Sequence, residues 1–192
     1  NFILVLSHDE VVHLKCSMLG KMPGDREDKF ANLKLAYAYM CGHPGKKLLF
    51  MGQEFGQWNE WSEKRALDWY LLEDDSHKEL KDFTKACLIL NKKYRCLYET
   101  DYSPEGFRWI NANDKDNSVF SFIRISPDKK RHLLFVFNFT PVERPNHRIG
   151  VPVKGKYKLV LGDDMKNQKK TLTSVRGECD GYKESLLIDL HR

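Results

Sequence analysis

The run Phe2-Ile3-Leu4-Val5-Leu6, followed at once by Ser7-His8-Asp9-Glu10, decides how this sequence reads. Five consecutive apolar residues, two of them β-branched, leave no polar face. They predict a strand buried on both sides, as in a parallel sheet covered by helices. The polar residues then fall at the strand's carboxyl end, where parallel α/β folds gather their active-site groups.

Working outward, Pro23-Gly24 marks a loop and Asp25 a helix N-cap, with Glu27 and Asp28 favourable at the positive end of the helix. Phe30, Leu33, Tyr37 and Met40 recur at helical spacing until Gly42 and Pro44 end the helix. Lys47-Leu48-Leu49-Phe50-Met51 predicts a second short strand, completing a strand–helix–strand crossover. After Gly52 the chain turns polar and aromatic, as a loop on the same face as His8 and Asp9. Leu80, Phe83, Cys87, Leu90, Tyr94 and Leu97 then predict a further amphipathic helix.

From residue 107 the pattern changes to short strands at residues 107–110, 119–125, 133–139, 157–161 and 186–190, which predicts an all-β sandwich. Leu133, Phe135, Phe137 and Phe139 share one face of their strand while Leu134 and Val136 occupy the other, so this strand is expected to be central. The expected organisation is therefore α/β plus all-β, residues 1–104 and 105–192, with the boundary where Pro104 interrupts the pattern.

Composition narrows the function classes. At 41% apolar and 12% aromatic content the 192 residues form a folded chain, not a disordered one. The net charge of +5 comes from 32 basic against 27 acidic side chains. The basic runs Lys129-Lys130-Arg131-His132 and residues 166–170 read as solvated turns, so no nucleic-acid partner is expected. The opening apolar run is too short for a membrane span or a secretory core, so no membrane partner is expected either. A start inside a strand predicts that the natural protein continues upstream of Asn1. Five scattered cysteines without C-x-x-C predict reduced thiols, a cytoplasmic location and no metal centre.

The His8-Asp9 pair reads in two ways. It is either a polar loop capping a strand or a sugar-binding pair, in which the carboxylate accepts from adjacent hydroxyls and the imidazole N–H donates to a hydroxyl oxygen. His8 and His13 are five apart, with Asp9 where a zincin helix needs Glu, and Ser7-His8-Asp9 lacks the elbow of a hydrolase triad. Trp58, Trp61 and Trp69 lie in or after the second loop. Trp58 is the best placed to stack on a pyranose ring, with Glu54 beside it to bind hydroxyls.

With these residues in view, the sequence resembles the bacterial 1,4-α-glucan (glycogen) branching enzymes of the α-amylase superfamily. The resemblance rests on the segment from Asn1-Phe2 through Leu6-Ser7-His8-Asp9-Glu10-Val11-Val12-His13 and on Met22-Pro23-Gly24-Asp25 with Lys29-Phe30-Ala31-Asn32-Leu33. It continues through Pro44-Gly45-Lys46-Lys47 to Gly52-Gln53-Glu54-Phe55, Leu67-Asp68-Trp69 and Asn138-Phe139-Thr140-Pro141-Val142.

The resemblance implies the last two βα units of a (β/α)8 barrel, followed by a carboxyl-terminal β-sandwich domain that lacks its last strand. It implies that His8 binds sugar, that Asp9 is a transition-state stabiliser, and that the nucleophile and acid/base lie in a missing amino-terminal part of the same enzyme. The implied partner is an α-glucan, with no cofactor, and the piece alone is expected to be inactive. The alternatives are a fragment of a debranching or amylolytic hydrolase, or a glucan-binding module without catalysis. Leu14 stands where many relatives have a small residue, which bears on the shape of the loop after His13.

Overall fold

A computed structural model describes residues 6–162 and 170–191. The chain divides into two compact units, Asn1–Tyr98 and Glu99–Arg192.

The first unit is built on helices α1 (Met18–Lys21), α2 (Arg26–Gly42) and α3 (Asp75–Lys93). Helix α2 starts where the sequence signals it: the Asp25 carboxylate accepts from Asp28 N–H at 3.0 Å, and Asp28 reciprocates toward Asp25 N–H at 3.4 Å. This capping box satisfies two backbone donors that the first turn leaves without partners. Phe30, Leu33 and Tyr37 on α2 and Leu80 on α3 join Val11, Met18 and Leu19 in one apolar core. Each large side chain there contributes about 1.5–3 kcal/mol by leaving water. The stripe Leu80, Phe83, Cys87 and Leu90 is the buried face of α3, as its spacing predicts, while Tyr94 caps the helix and Leu97 lies in a following 3-10 turn. Across the two helices the Cys41 thiol donates to the Cys87 carbonyl at 3.2 Å.

The strand expected at residues 2–6 falls mostly outside the described residues. Residues 47–51 form no ladder among the described residues. Their backbone bonds locally instead: Phe50 N–H donates to Gln53 Oε1 and Phe50 O accepts from Gln53 N–H, both at 3.0 Å. The Lys47 ammonium curls back onto the carbonyls of His43, at 2.6 Å, and Gly45. An apolar run takes strand form only where a neighbouring strand supplies partners.

The second unit is all-β. One sheet runs β1 (Phe107–Asp114), β2 (Val119–Ile125), β3 (His132–Asn138) in that order, all antiparallel. A second places β8 (Tyr182–Leu190) between β4 (Arg144–Val151) and β7 (Val175–Cys179), and β5 (Lys156–Lys158) pairs with β6 (Thr171–Thr173). Ile110, Ile123 and Ile125 of the first sheet meet Ile149 of the second in a shared core, flanked by Leu134, Val136 and Ile188.

Two expectations change here. β3 lies at the edge of its sheet and β2 is central. β3 is apolar on both sides because its sheet has an aliphatic inner face and an aromatic outer one, where Phe122, Phe135 and Phe137 stack; its lateral position is not what the pattern reports. Strands β4, β6 and β7 lie in stretches where the sequence predicts none. β4 carries Pro145, which an edge strand tolerates because it needs no ladder donor there. The basic run at residues 166–169 lies outside the described residues, and Lys170 pairs with Asp189 at 3.5 Å. Among the described residues, no helix is long and apolar enough to cross a membrane.

Candidate functional site

Ser7 leads into a single 3-10 turn, His8–Glu10, that none of its own side chains buries. Two lysines hold this turn from behind. Lys15 Nζ donates to the Asp9 carbonyl at 2.7 Å, and Lys21 Nζ donates to the Glu10 carbonyl and reaches the Glu10 carboxylate at 3.3 Å. With the backbone pinned, the Asp9 carboxylate stands in solvent, 67% exposed. It is flanked by His8 Nε2 at 3.1 Å and Ser7 Oγ at 3.3 Å. The arrangement offers one fixed anionic acceptor and one imidazole side by side, suited to adjacent hydroxyl groups.

The loop that follows is strained. His13, Leu14 and Cys16 all have φ between 60° and 68°, a region that costs a side-chain-bearing residue about 1–2 kcal/mol. Glu60 offsets this from the second loop: its carboxylate accepts from Leu14 N–H at 3.2 Å and Cys16 N–H at 2.6 Å. Trp61 N–H donates to the Val11 carbonyl at 3.1 Å, making a third tie. The Trp61 ring meets Phe50 edge-on at 5.1 Å, and Phe50 lies 5.9 Å from the His8 ring. The two loops expected to share a face are thus joined through Glu60, Trp61 and Phe50.

Glu54 sits on the 3-10 turn Gln53–Phe55, bracketed by Gly52 and Gly56, both left-handed at φ 85° and 70°. Tyr37 Oη donates to the Gln53 carbonyl at 2.8 Å and His77 Nδ1–H to the Phe55 carbonyl at 2.7 Å, so buried side chains fix the turn at both ends. Burial, and then the negative charge of Glu54, pushes the Tyr37 hydroxyl pKa well above its ordinary value, which keeps it a donor. Trp58 is half-buried and packs edge-on against Phe30 and His77, each at 6.2 Å, which joins it to the core of the unit. Trp69 is 53% exposed and lies 5.1 Å from Phe55.

His8 and Asp9 therefore share one turn, and Glu54 and Trp58 share a second, buttressed loop. Glu60 was not anticipated as a site-shaping residue: its partners lie 44 and 46 positions away and are backbone N–H groups, which leave no side-chain pattern. Among the described residues no group of three His, Cys, Asp or Glu side chains could hold a metal ion.

Comparison with known proteins follows the same lines. Residues 109–192 match the family model described as the alpha amylase C-terminal all-beta domain. The chain is 50% identical over 197 residues to the 1,4-alpha-glucan branching enzyme GlgB of Butyrivibrio fibrisolvens, covering 99% of this chain and 31% of that protein. It is 50% identical to the enzyme of that name from Aquifex aeolicus, over 86% of this chain and 26% of the relative. The Thiobacillus denitrificans protein of that name is 53% identical over 85% of this chain and 22% of its own length. The chain thus spans about a third or less of the curated relatives it matches.

Proposed function

This chain is a homologue of the 1,4-alpha-glucan branching enzymes throughout its length, and from that premise we propose that it serves in a branching reaction on an α-glucan. In that reaction an α-1,4 glucan is cut by double displacement with retention, and the glycosyl–enzyme intermediate passes to a sugar 6-hydroxyl, making an α-1,6 branch. The observation that carries the reading is the His8–Glu10 turn, with its carbonyls bound by Lys15 and Lys21 and the Asp9 carboxylate exposed beside His8.

Asp9 accepts from two neighbouring hydroxyls of the sugar in the cleavage subsite. These bonds tighten as the ring flattens and gains positive charge, so they lower the barrier more than they stabilise the bound ground state. His8 donates to a hydroxyl oxygen and holds the ring in register. Glu54 binds hydroxyls further along the chain, and Trp58 bounds the sugar path. The nucleophile and the acid/base come from a preceding part of the protein, in which residues 1–104 complete a (β/α)8 barrel. No cofactor takes part. All five cysteines lie outside disulfides, which suits a cytoplasmic glycogen enzyme.

The test is a branching assay on the protein that contains this chain, read as the shift of the iodine-stained glucan spectrum and as new α-1,6 linkages. Asp9→Asn is expected to lower turnover by at least about a hundredfold with little change in KM, as for loss of a transition-state interaction. Unchanged turnover in Asp9→Asn would refute the role. The 192-residue chain alone is expected to show no turnover.

A further inference from the structure

The basic run Lys129-Lys130-Arg131-His132 has no part in the reading above, and the fold gives it a use. It runs from the tight turn between β2 and β3 into the first residue of β3. Ser126 Oγ and Asp128 hold this turn rigid: Arg131 N–H donates to Ser126 Oγ at 3.0 Å, Ser126 Oγ donates to Asp128 at 2.5 Å, and Lys130 N–H donates to Asp128 at 3.1 Å.

Opposite the turn stands the 3-10 turn Pro104–Gly106. It is fixed by Arg124 Nε–H to the Gly106 carbonyl at 3.3 Å and, just upstream, by Thr100 Oγ1–H to the Ile125 carbonyl at 3.1 Å. Between the two walls lies a cleft of about 380 Å³. This is large for a bare anion and falls within the range of small-molecule sites. Pro104 and Ile125 line it with apolar surface, and Arg108, Lys129 and His132 bring positive or proton-donating groups to it.

The cations differ in how they are used. Lys129 is spoken for on the rim, 2.9 Å from Glu105. Asp128 is occupied by the turn itself. The side chains of Arg108 and His132 have no carboxylate or hydrogen-bond partner among the described residues. The register places them on one face of the sheet, Arg108 opposite Ile123 and His132 opposite Ile125. Burial, and then the charge of Arg108, holds the His132 imidazole below its usual pKa. A bridging anion would relieve that repulsion and let His132 become a second charged donor.

We infer that this cleft binds a phosphate monoester carried on a sugar ring, with Arg108 and His132 on the phosphate and the ring against Pro104 and Ile125. The phosphate supplies a divalent anion that a fork of N–H donors holds well, and the ring fills the volume a bare anion leaves empty. Two sources share this chemistry: a free hexose phosphate, and a phosphate carried on a glucan chain.

The experiment titrates the 192-residue chain with glucose 6-phosphate, a 6-phosphorylated maltooligosaccharide, unphosphorylated glucose and inorganic phosphate. Heat is recorded together with the His132 Cε1–H resonance against pH. Binding of either phosphorylated sugar with an upward shift of the His132 midpoint supports the site, and the tighter of the two identifies the source. Arg108→Ala and His132→Gln are both expected to weaken binding by about tenfold or more, as for loss of one charge-assisted contact. Arg108→Ala should also raise the His132 midpoint without ligand, a readout that does not depend on binding. Two outcomes overturn the site: inorganic phosphate binding as tightly as the sugar phosphates, or an affinity unchanged by Arg108→Ala in a variant with native circular dichroism.

Discussion

Asp101 and Arg124 show how much one residue pair can decide. The Arg124 guanidinium donates to Asp101 at 2.7 Å with both side chains almost wholly out of water, at 0% and 3% exposure. Removing one member of such a pair leaves a buried charge without its counterpart, at a cost of about 3–5 kcal/mol. Asp101→Ala is therefore expected to lower the urea midpoint of the second unit sharply, while Asp101→Ala/Arg124→Met recovers much of the loss; equal destabilisation by the single and double variants would refute the pairing argument. Asp74 makes a pH prediction. Desolvation acts to raise its carboxyl pKa but is outweighed by hydrogen bonds from Arg26 and Ser76, so the folded value lies below the ordinary one. A depressed folded value means that Asp74 stabilises the fold above its unfolded pKa, near 3.8, and that this is lost as pH falls through the lower folded value. Asp74→Asn should accordingly flatten the acid limb of a stability–pH curve below about pH 4 and leave its slope near neutrality unchanged. At this scale the sequence is legible where the partners are chain neighbours, as His8 and Asp9 are on their shared turn. It is silent where the partner is a distant backbone amide, as for Glu60, or a buried opposite charge, as for Asp101 and Arg124.

Elements were legible in proportion to their contrast between apolar and polar faces. Helix α2 announced itself by Asp25, and α3 by its stripe from Leu80 to Leu90. β2 and β3 were visible as apolar runs, whereas β4 reads Arg-Pro-Asn-His-Arg-Ile-Gly-Val and buries only its last three residues. An edge strand that gives one end to the core has no reason to alternate. The loop after His13 follows the same logic in reverse, since its residue types do not reveal its left-handed backbone. Leu14 is 98% exposed at φ 64°, so its side chain gains nothing from packing and its backbone is strained. Leu14→Gly should raise stability by up to about 1 kcal/mol, the relief of strain being partly offset by the entropy of a glycine in the unfolded chain. Glu60→Ala should lower it by about 1–2 kcal/mol by releasing the Leu14 and Cys16 amides. Thermal denaturation of both variants and of their combination tests the linkage. If the loop is the shared cause, the penalty of Glu60→Ala shrinks in the Leu14→Gly background, and strict additivity would count against it.

Across the whole molecule the two units differ in what holds them. Residues 99–192 have a core drawn from two sheets, the buried Asp101–Arg124 pair and a ladder in each sheet. The described part of residues 1–98 has helices and loops gathered on one apolar cluster and no strand ladder. A unit with strand ladders and its own core meets the requirements for independent folding, while an apolar cluster without a ladder favours partial order. Residues 99–192 expressed alone are therefore expected to unfold in one cooperative urea transition, with slowly exchanging amides in β2 and β8, each of which is paired on both sides. Residues 1–98 alone are expected to bind a hydrophobic dye and to unfold over a broader range. A sharp transition for 1–98 together with a broad one for 99–192 would reverse the assignment of stability, and the loops carrying His8, Asp9, Glu54 and Trp58 would then rest on the more self-sufficient half of the chain.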